Sequence, residues 1–359
     1  MIIFNLFCAQ VYSWALLLLN LRKICYKKPM TKRKNSPKRF VCFGGGSAMP
    51  KVVLEPLKRY PVQITSITSM LESGGSSGQL REDLNILPPG DISRHLVALS
   101  NAPSWKKELF LMRFGREEFP DGHRGHRFGT VFIAGLEYLL KDFEEALKIA
   151  HDFLELKDNQ ALPATLEKTH AWAVLINGKR IKGEAEIDVP KVHDGNLKIK
   201  KVYLKPRAKA YPRALKTIEK ADYLIFGPGD LYSSIIACFL PEGMKEAIAK
   251  SKVKKIFICN LMTKFGETNN FSILDFVEEI EKYINSTLDY VLYNTTIPSK
   301  ERIKKYKKEH PEALSLVSIN ENLPKDKFIG KDLLLDSGPI EHDPKKVAEA
   351  IMQIVRKHS

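Results

Sequence analysis

The chain predicts an α/β protein, a mainly parallel sheet covered on both faces with a small antiparallel hairpin inserted. Three observations carry this expectation. From residue 40 onward, short β-branched or aromatic runs alternate with longer amphipathic stretches, the pattern of a parallel sheet covered on both faces. Three glycine-rich turns stand where strands give way to helices, at Gly44-Gly45-Gly46, Gly74-Gly75 and Gly227-Pro228-Gly229. One segment, "AWAVLINGKRIKGEAEI", instead alternates about an Asn-Gly pair, as a hairpin does.

Strands are expected at 40–43, 62–70, 222–226 ("DYLIF"), 254–259 ("KKIFIC") and 288–293 ("LDYVLY"). Helical spacing of apolar residues marks 50–59, 91–100, 126–140, 142–155, 213–220, 243–250, 271–285 and 300–308. Asn177-Gly178 carries the signature of a type I′ turn. With "LKIKKVYLKP" it defines an antiparallel insertion at about 170–206. The last helix starts at Asp343-Pro344, a cap and a first turn, and sets Val347, Ile351 and Ile354 on one packing face.

Composition bounds the rest. With 359 residues, 44% hydrophobic and 28% charged, the chain is an ordinary globular one with room for one large domain or two. No Pro/Gly-rich linker or repeat divides residues 40–359, so they read as one domain behind an extension of residues 1–39. Five cysteines show neither a CxxC pair nor zinc-like spacing, which fits free thiols in a reducing cytoplasm. The net charge of +15 suggests nucleic acid until its distribution is seen. Nine of those charges lie between Arg22 and Arg39, with no acid among them. The basic helix "KERIKKYKKEH" carries both signs and reads as a solvated face. Nucleic acid is therefore not an expected partner, while self-association is left open.

Ahead of the basic run lies "MIIFNLFCAQVYSWALLLLNL". It lacks a basic start and a small-residue cleavage site, which argues against a signal peptide. Residues 1–21 read either as a membrane anchor with a cytoplasmic positive flank or as sequence upstream of a start at Met30. The second is favoured, because it begins the first core strand about ten residues after the initiator.

The glycine turns point to chemistry. In an open parallel sheet, ligands collect beyond the carboxyl ends of the strands. A glycine turn there lets backbone approach a phosphate, and the following helix N-terminus offers unpaired N–H groups. Gly44, Gly45, Gly46 and Ser47 fit this device but match neither a Walker A loop nor a full GxGxxG, so a tight turn is an equal reading. In "ESGGSSGQLREDLNILPPGD", Gly74, Gly75, Ser76 and Ser77 form a flexible loop beside Arg81, suited to a diphosphate or sugar. Asp91 opens a helix there, with an N-cap role as the plainer reading. Glu72 and Asp91 together are candidate ligands for a divalent ion such as Mg2+, the one cofactor considered. "FGPGDLYSS" adds Gly227, Gly229, Asp230, Tyr232 and Ser233. "CNLMTKFGETNNFS" adds Asn260, Thr263, Glu267 and Thr268, whose amide and hydroxyl groups suit a base or ribose. "DGHRGHRFG" holds His123, Arg124, His126 and Arg127; two histidines three apart suggest a metal but lack a third ligand, so His126 and Arg127 are assigned toward a phosphate.

These stretches together resemble the CofD/YvcK-like family, through "FGGGSAMPKVV", "GGSSGQLREDLNILPPGDI", "LVALS", "GHRFG", "LPAT", "FGPGDLYSSI" and "CNLMTKFGET". The likeness runs from about residue 40 to about 310, and the second and last motifs resemble its gluconeogenesis-factor branch. The resemblance implies a three-layer, Rossmann-like core that binds nucleotide derivatives. One branch transfers 2-phospho-L-lactate from a guanosine diphosphate-linked donor with a metal. The other binds UDP-sugars and is tied to carbon-source use, cell shape and envelope synthesis. It further implies that Glu72 and Asp91 would be catalytic only in a transferase. The chain departs from the family at Ser73, where a second acid is usual, at Ser93-Arg94, where an arginine and an asparagine are usual, and at Thr130, where an asparagine is usual. The expectation is a cytoplasmic protein that binds a nucleotide sugar or another nucleoside diphosphate derivative, with a transferase as the alternative.

Overall fold

Twelve strands organise the chain in this computed structural model, which describes residues 36–114 and 125–357. In chain order they are β1 (Lys38–Phe43), β2 (Val62–Thr68), β3 (Gln160–Pro163), β4 (His170–Leu175), β5 (Arg180–Lys182), β6 (Ile199–Lys205), β7 (Tyr223–Phe226), β8 (Lys254–Ile258), β9 (Met262–Lys264), β10 (Tyr290–Asn294), β11 (Ala313–Leu316) and β12 (Phe328–Lys331). Seven form the main sheet in the order β12-β10-β8-β7-β1-β2-β3, and every neighbouring pair is parallel. The expectations for residues 1–35, for Met30 and for His123 and Arg124 lie outside the described residues.

The three layers follow from side-chain alternation on strands that are apolar on both faces. On β1, Phe40 and Cys42 enter one core while Val41 and Phe43 enter the other. The first core is covered by the helices Gly90–Leu99, Phe128–Leu140, Phe143–Phe153 and Pro344–Lys357. Against the second lie the helices Pro212–Lys220, Met244–Lys250 and Ile273–Ile284, together with the antiparallel sheet β5-β4-β6. In the last helix Val347, Ile351 and Ile354 are buried, and Asp343 Oδ1 accepts from the N–H groups of Lys345 and Lys346 at 2.8 and 3.0 Å. Cys42, Cys238 and Cys259 are buried free thiols. No helix among the described residues is long and apolar enough to cross a membrane.

Two expectations need correction. The insertion is present, but its turn is not type I′, which requires positive φ at both central residues. Here Gly178 has φ +86° whereas Asn177 does not share that conformation. The Gly178 N–H donates to the Leu175 carbonyl and the Leu175 N–H to the Lys179 carbonyl, both at 2.9 Å. This is a three-residue loop, a tight turn closed by a left-handed glycine. The stretch read as a flexible serine-glycine loop is instead a ten-residue helix, Gly75–Leu84. Its Gly78 packs where an added Cβ would lie 2.5 Å from the Ser73 backbone.

The corrected turn yields a test. An L side chain at Gly178 meets no neighbour within 4 Å but must hold the left-handed conformation. Gly178→Ala is therefore expected to cost about 1 kcal/mol, measured by urea denaturation.

Candidate functional site

Strand order reverses between β1 and β7, so the connections leaving these two strands part to opposite sides and open a crevice. The first and third glycine turns meet there. The Gly44 N–H still donates to the Ile67 carbonyl at 3.4 Å, and the Gly227 N–H to Phe43 at 3.0 Å, before the loops diverge. A Cβ on Gly45 would lie 2.4 Å from Asp91 Oδ2, so only glycine lets this loop pass against that carboxylate. Beyond it, Gly45, Gly46, Ser47, Gly229, Asp230, Asn260 and Thr263 line a cavity of about 440 Å³. Asn260 Nδ2 donates to the Gly229 carbonyl at 2.8 Å, which fixes the amide and leaves Oδ1 as a buried acceptor without a partner. Lys51, unremarked inside "GGGSAMPKVV", and His310, at the end of the basic helix, join the same wall.

A second cavity of about 360 Å³ lies on the other side of Asp91, lined by Glu72, Gly74, Gly75, Ser76, Ser77, Gly90, Arg94, Arg113, Arg127 and Thr130. The start of the Gly75–Leu84 helix faces it, so its first N–H groups add to the positive field. His126 Nδ1 lies 2.7 Å from Ser76 Oγ. Burial, then Arg94 and Arg113, push the Arg127 guanidinium down to about 10. Three arginines crowded onto one cavity repel one another, and an anion between them would relieve that repulsion.

Two carboxylates divide the cavities. Glu72 Oε2 accepts from the Asp91 N–H at 2.9 Å and so caps the Gly90–Leu99 helix from a distant segment. Asp91 is therefore not the cap: Pro89 occupies that position, and Asp91 Oδ1 accepts from Arg94 Nη1 at 2.8 Å, one turn along. Burial, then the Asp91 charge, push the Glu72 carboxyl up to about 8. Arg94 thus reaches the cavity although its place in the motif has shifted. Ser73, at the usual position of an acid, instead accepts from the Ala185 N–H at 3.0 Å, while its own N–H donates to Glu184 at 3.3 Å. Burial and the charges of Asp188, Glu72 and Asp91 hold Glu184 well above the usual carboxylate range. An acid from the insertion therefore stands close to where the motif lacks one.

At the third turn, oxygens of Asp188, Asp230 and Glu267 lie within 4.8 Å of one another, a spacing able to hold a metal ion. Lys264 occupies that centre, its Nζ pairing with Asp188 and, at 3.0 Å, with Asp230. Burial opposes the Lys264 charge, but Asp230, Glu267 and Asp188 outweigh it and raise the ammonium above its ordinary range. Ser233 Oγ donates to Glu267 Oε1 at 2.6 Å, and the Tyr232 N–H to Oε2 at 2.7 Å. Burial, then Asp230, raise Glu267 to about 8. Asp188 and Lys264 escaped selection from sequence: Asp188 sits in no motif, and Lys264 stands unremarked inside "NLMTKFGET".

Several expected ligand residues serve the scaffold. Arg81 is buried and donates to the carbonyls of Leu71, Glu72 and Thr169. Gly44 and Gly227 pack against Met49 and Ile235 respectively. Tyr232 is buried in the second core, and Thr268 Oγ1 accepts from the Lys264 N–H at 2.8 Å. Of the expected metal pair, Glu72 serves the helix N-terminus and Asp91 serves Arg94.

These carboxyls set a pH dependence. Glu72 and Glu267 keep protons in the folded state that an unfolded chain releases near pH 4.3, so stability is lost as pH rises through about 8. Buried His95, at about 3, and His342, at about 4, act oppositely: stability falls as pH drops below about 6.5. Between about pH 6.5 and 8 only the first effect operates among these four groups. Melting temperature is expected to fall across that window, with Glu72→Gln and Glu267→Gln each flattening the slope by roughly 1 kcal/mol per pH unit.

Comparison with known proteins agrees with this architecture. The family model for 2-phospho-L-lactate transferase CofD matches residues 40–332. A Thermotoga maritima protein is 36% identical over 323 residues, covering 89% of this chain and 99% of its own. The gluconeogenesis factor of Listeria innocua is 32% identical over 90% of this chain and 97% of its own. A crystal structure from Bacillus halodurans superposes with a TM-score of 0.79 at 34% identity, over 88% of this chain and 99% of that one. A second structure, of a Bacillus halodurans member of the upf0052 family, gives 0.79 at 33%. With its matches among the relatives falling on gluconeogenesis factors, the chain belongs to the CofD family.

Proposed function

We propose that the protein binds a nucleoside diphosphate sugar of the UDP-sugar type along the crevice, as a regulator of carbon metabolism, cell shape or envelope synthesis. The observation that carries this reading is the pairing of two unlike cavities on either side of Asp91. One has three arginines and a helix N-terminus, which suit phosphate oxygens. The other offers the amide and hydroxyl groups of Asn260 and Thr263, which suit a nucleoside. Gly45 lies between, its backbone close against Asp91, and Gly229 lines the second cavity beside it. Glu72 and Asp91, the pair expected to hold Mg2+, are otherwise engaged: Glu72 keeps its proton toward pH 8 and takes the Asp91 N–H, and Asp91 pairs with Arg94.

A second reading is transfer of a phosphorylated hydroxy acid from a nucleoside diphosphate to an acceptor alcohol. One observation favours it: Glu72, at about 8, stands beside the arginine cavity and is suited to take a proton from an attacking hydroxyl. Binding without turnover remains the preferred reading, because Asp91 is paired with Arg94 and Lys264 fills the only three-carboxylate group of metal-holding spacing among the described residues.

Two experiments test these readings. UDP-glucose is expected to raise the melting temperature more than glucose or UMP, in keeping with a ligand that binds only the native state. Gly229→Val adds atoms at ordinary contact distance, with Ser234 at 3.5 Å, so it should fold yet abolish the shift. Arg127→Gln should weaken binding about tenfold or more by removing a charge-assisted hydrogen bond. Equal shifts in all three proteins would refute the crevice as the site.

For the second reading, the protein is incubated with phospholactyl guanosine diphosphate, a deazaflavin acceptor and magnesium. No product is expected. Metal-dependent product that is lost in Asp91→Asn would establish the transferase.

A further inference from the structure

We propose that the opposite end of the sheet carries a second anion site, built to take a small phosphorylated molecule. The argument begins with a break in an apolar pattern. On the face covered by the Pro212–Lys220 helix, Phe43, Ile67 and Leu162 form one buried apolar row across β1, β2 and β3. Two residues toward the strand starts, the same row reads Val41, Thr65 and Gln160. Thr65 is only 7% exposed and Gln160 is half-buried, and among the described residues neither side chain hydrogen-bonds to the protein. Left to solvent in this way, the two groups are placed to pair with a ligand's polar atoms instead.

They open into a cavity of about 320 Å³, at the lower end of the ~300–1,000 Å³ range of small-molecule sites and well beyond one water. Its remaining wall is cationic. Arg39 is held by Asp222 and Arg213 by Glu144, at 3.2 and 3.3 Å. Lys216 and Lys220, one turn apart on the covering helix, have no acidic partner among the described residues, which leaves the cavity with excess positive charge. A phosphate monoester supplies what this wall lacks: oxygens that accept from the Thr65 hydroxyl, the Gln160 amide and both ammonium groups. Arg39 to Val41 line this cavity and Gly45 lines the crevice, so roughly 13 Å of β1 separates the two sites at ~3.3 Å per residue.

The test is hydrogen–deuterium exchange on the full-length chain, using inorganic phosphate as the probe and sodium chloride to match ionic strength. At twice its dissociation constant, phosphate should slow local exchange about threefold in peptides covering 158–163 and 212–220. Lys216→Gln combined with Lys220→Gln should abolish this protection. Thr65→Val should weaken it without touching a charge. Arg94→Gln combined with Arg127→Gln, which disables the crevice, should leave it intact, so failure here is distinguishable from failure there. The lysines are exposed, and unchanged circular dichroism would confirm that their variant folds. Protection that chloride reproduces, that survives loss of both lysines, or that arises from phosphatidylserine vesicles but not from phosphate would overturn the proposal.

Discussion

The approach of the first glycine loop to Asp91 is the contact around which the rest is arranged. Without a side chain at Gly45, the loop leaving β1 runs directly against a carboxylate from the first turn of the Gly90–Leu99 helix. That helix is held in place by Glu72, whose carboxylate takes up the Asp91 N–H. Asp91 in turn holds Arg94 toward one cavity while the glycine loop floors the other. Any larger residue at 45 would have to displace the Asp91 carboxylate, and with it the pairing that orients Arg94. The constraint is steric, but what it separates is electrostatic.

The charges beyond this wall are sorted by sign. Arg94, Arg113 and Arg127 face one cavity, where Asp91 pairs with Arg94. The acids Asp188, Asp230 and Glu267 gather at the third turn around a single lysine. Such separation is unfavourable in the empty protein, since like charges are held close at low dielectric. It is relieved partly by protonation, which is why Glu72 and Glu267 hold their protons toward pH 8. A ligand carrying negative charge toward the arginines relieves the other half.

Much of this was legible from the residues. The strands β1, β7, β8 and β10 announced themselves as apolar runs, the mark of buried parallel strands, and β2 through its β-branched residues. The strands β3 and β12 stand at the two edges of the sheet, where burial is one-sided and four residues suffice. Gln160-Ala161-Leu162-Pro163 and Phe328-Ile329-Gly330-Lys331 therefore carry too little apolar pattern to be found. Serines and glycines disfavour a helix at Gly75–Leu84 on propensity alone. Tertiary contacts override that preference: Arg81 ties the helix to the carbonyls of Leu71, Glu72 and Thr169. At the site, the glycine turns were visible as motifs, whereas Glu184 and Asp188 were not. They come from a different part of the chain, and only the folded insertion brings them near Glu72 and Asp230.

That placement changes what the antiparallel insertion is. The β4–β6 sheet and its short Glu184–Asp188 helix look like an ornament on one face of an α/β core. Yet this appendage delivers two carboxylates to the crevice while contributing none of the glycine loops. The glycine turns and the acids beside them thus come from separable pieces of chain. Substitutions confined to the appendage would alter the balance of protons and charge around Lys264 while leaving the three turns intact.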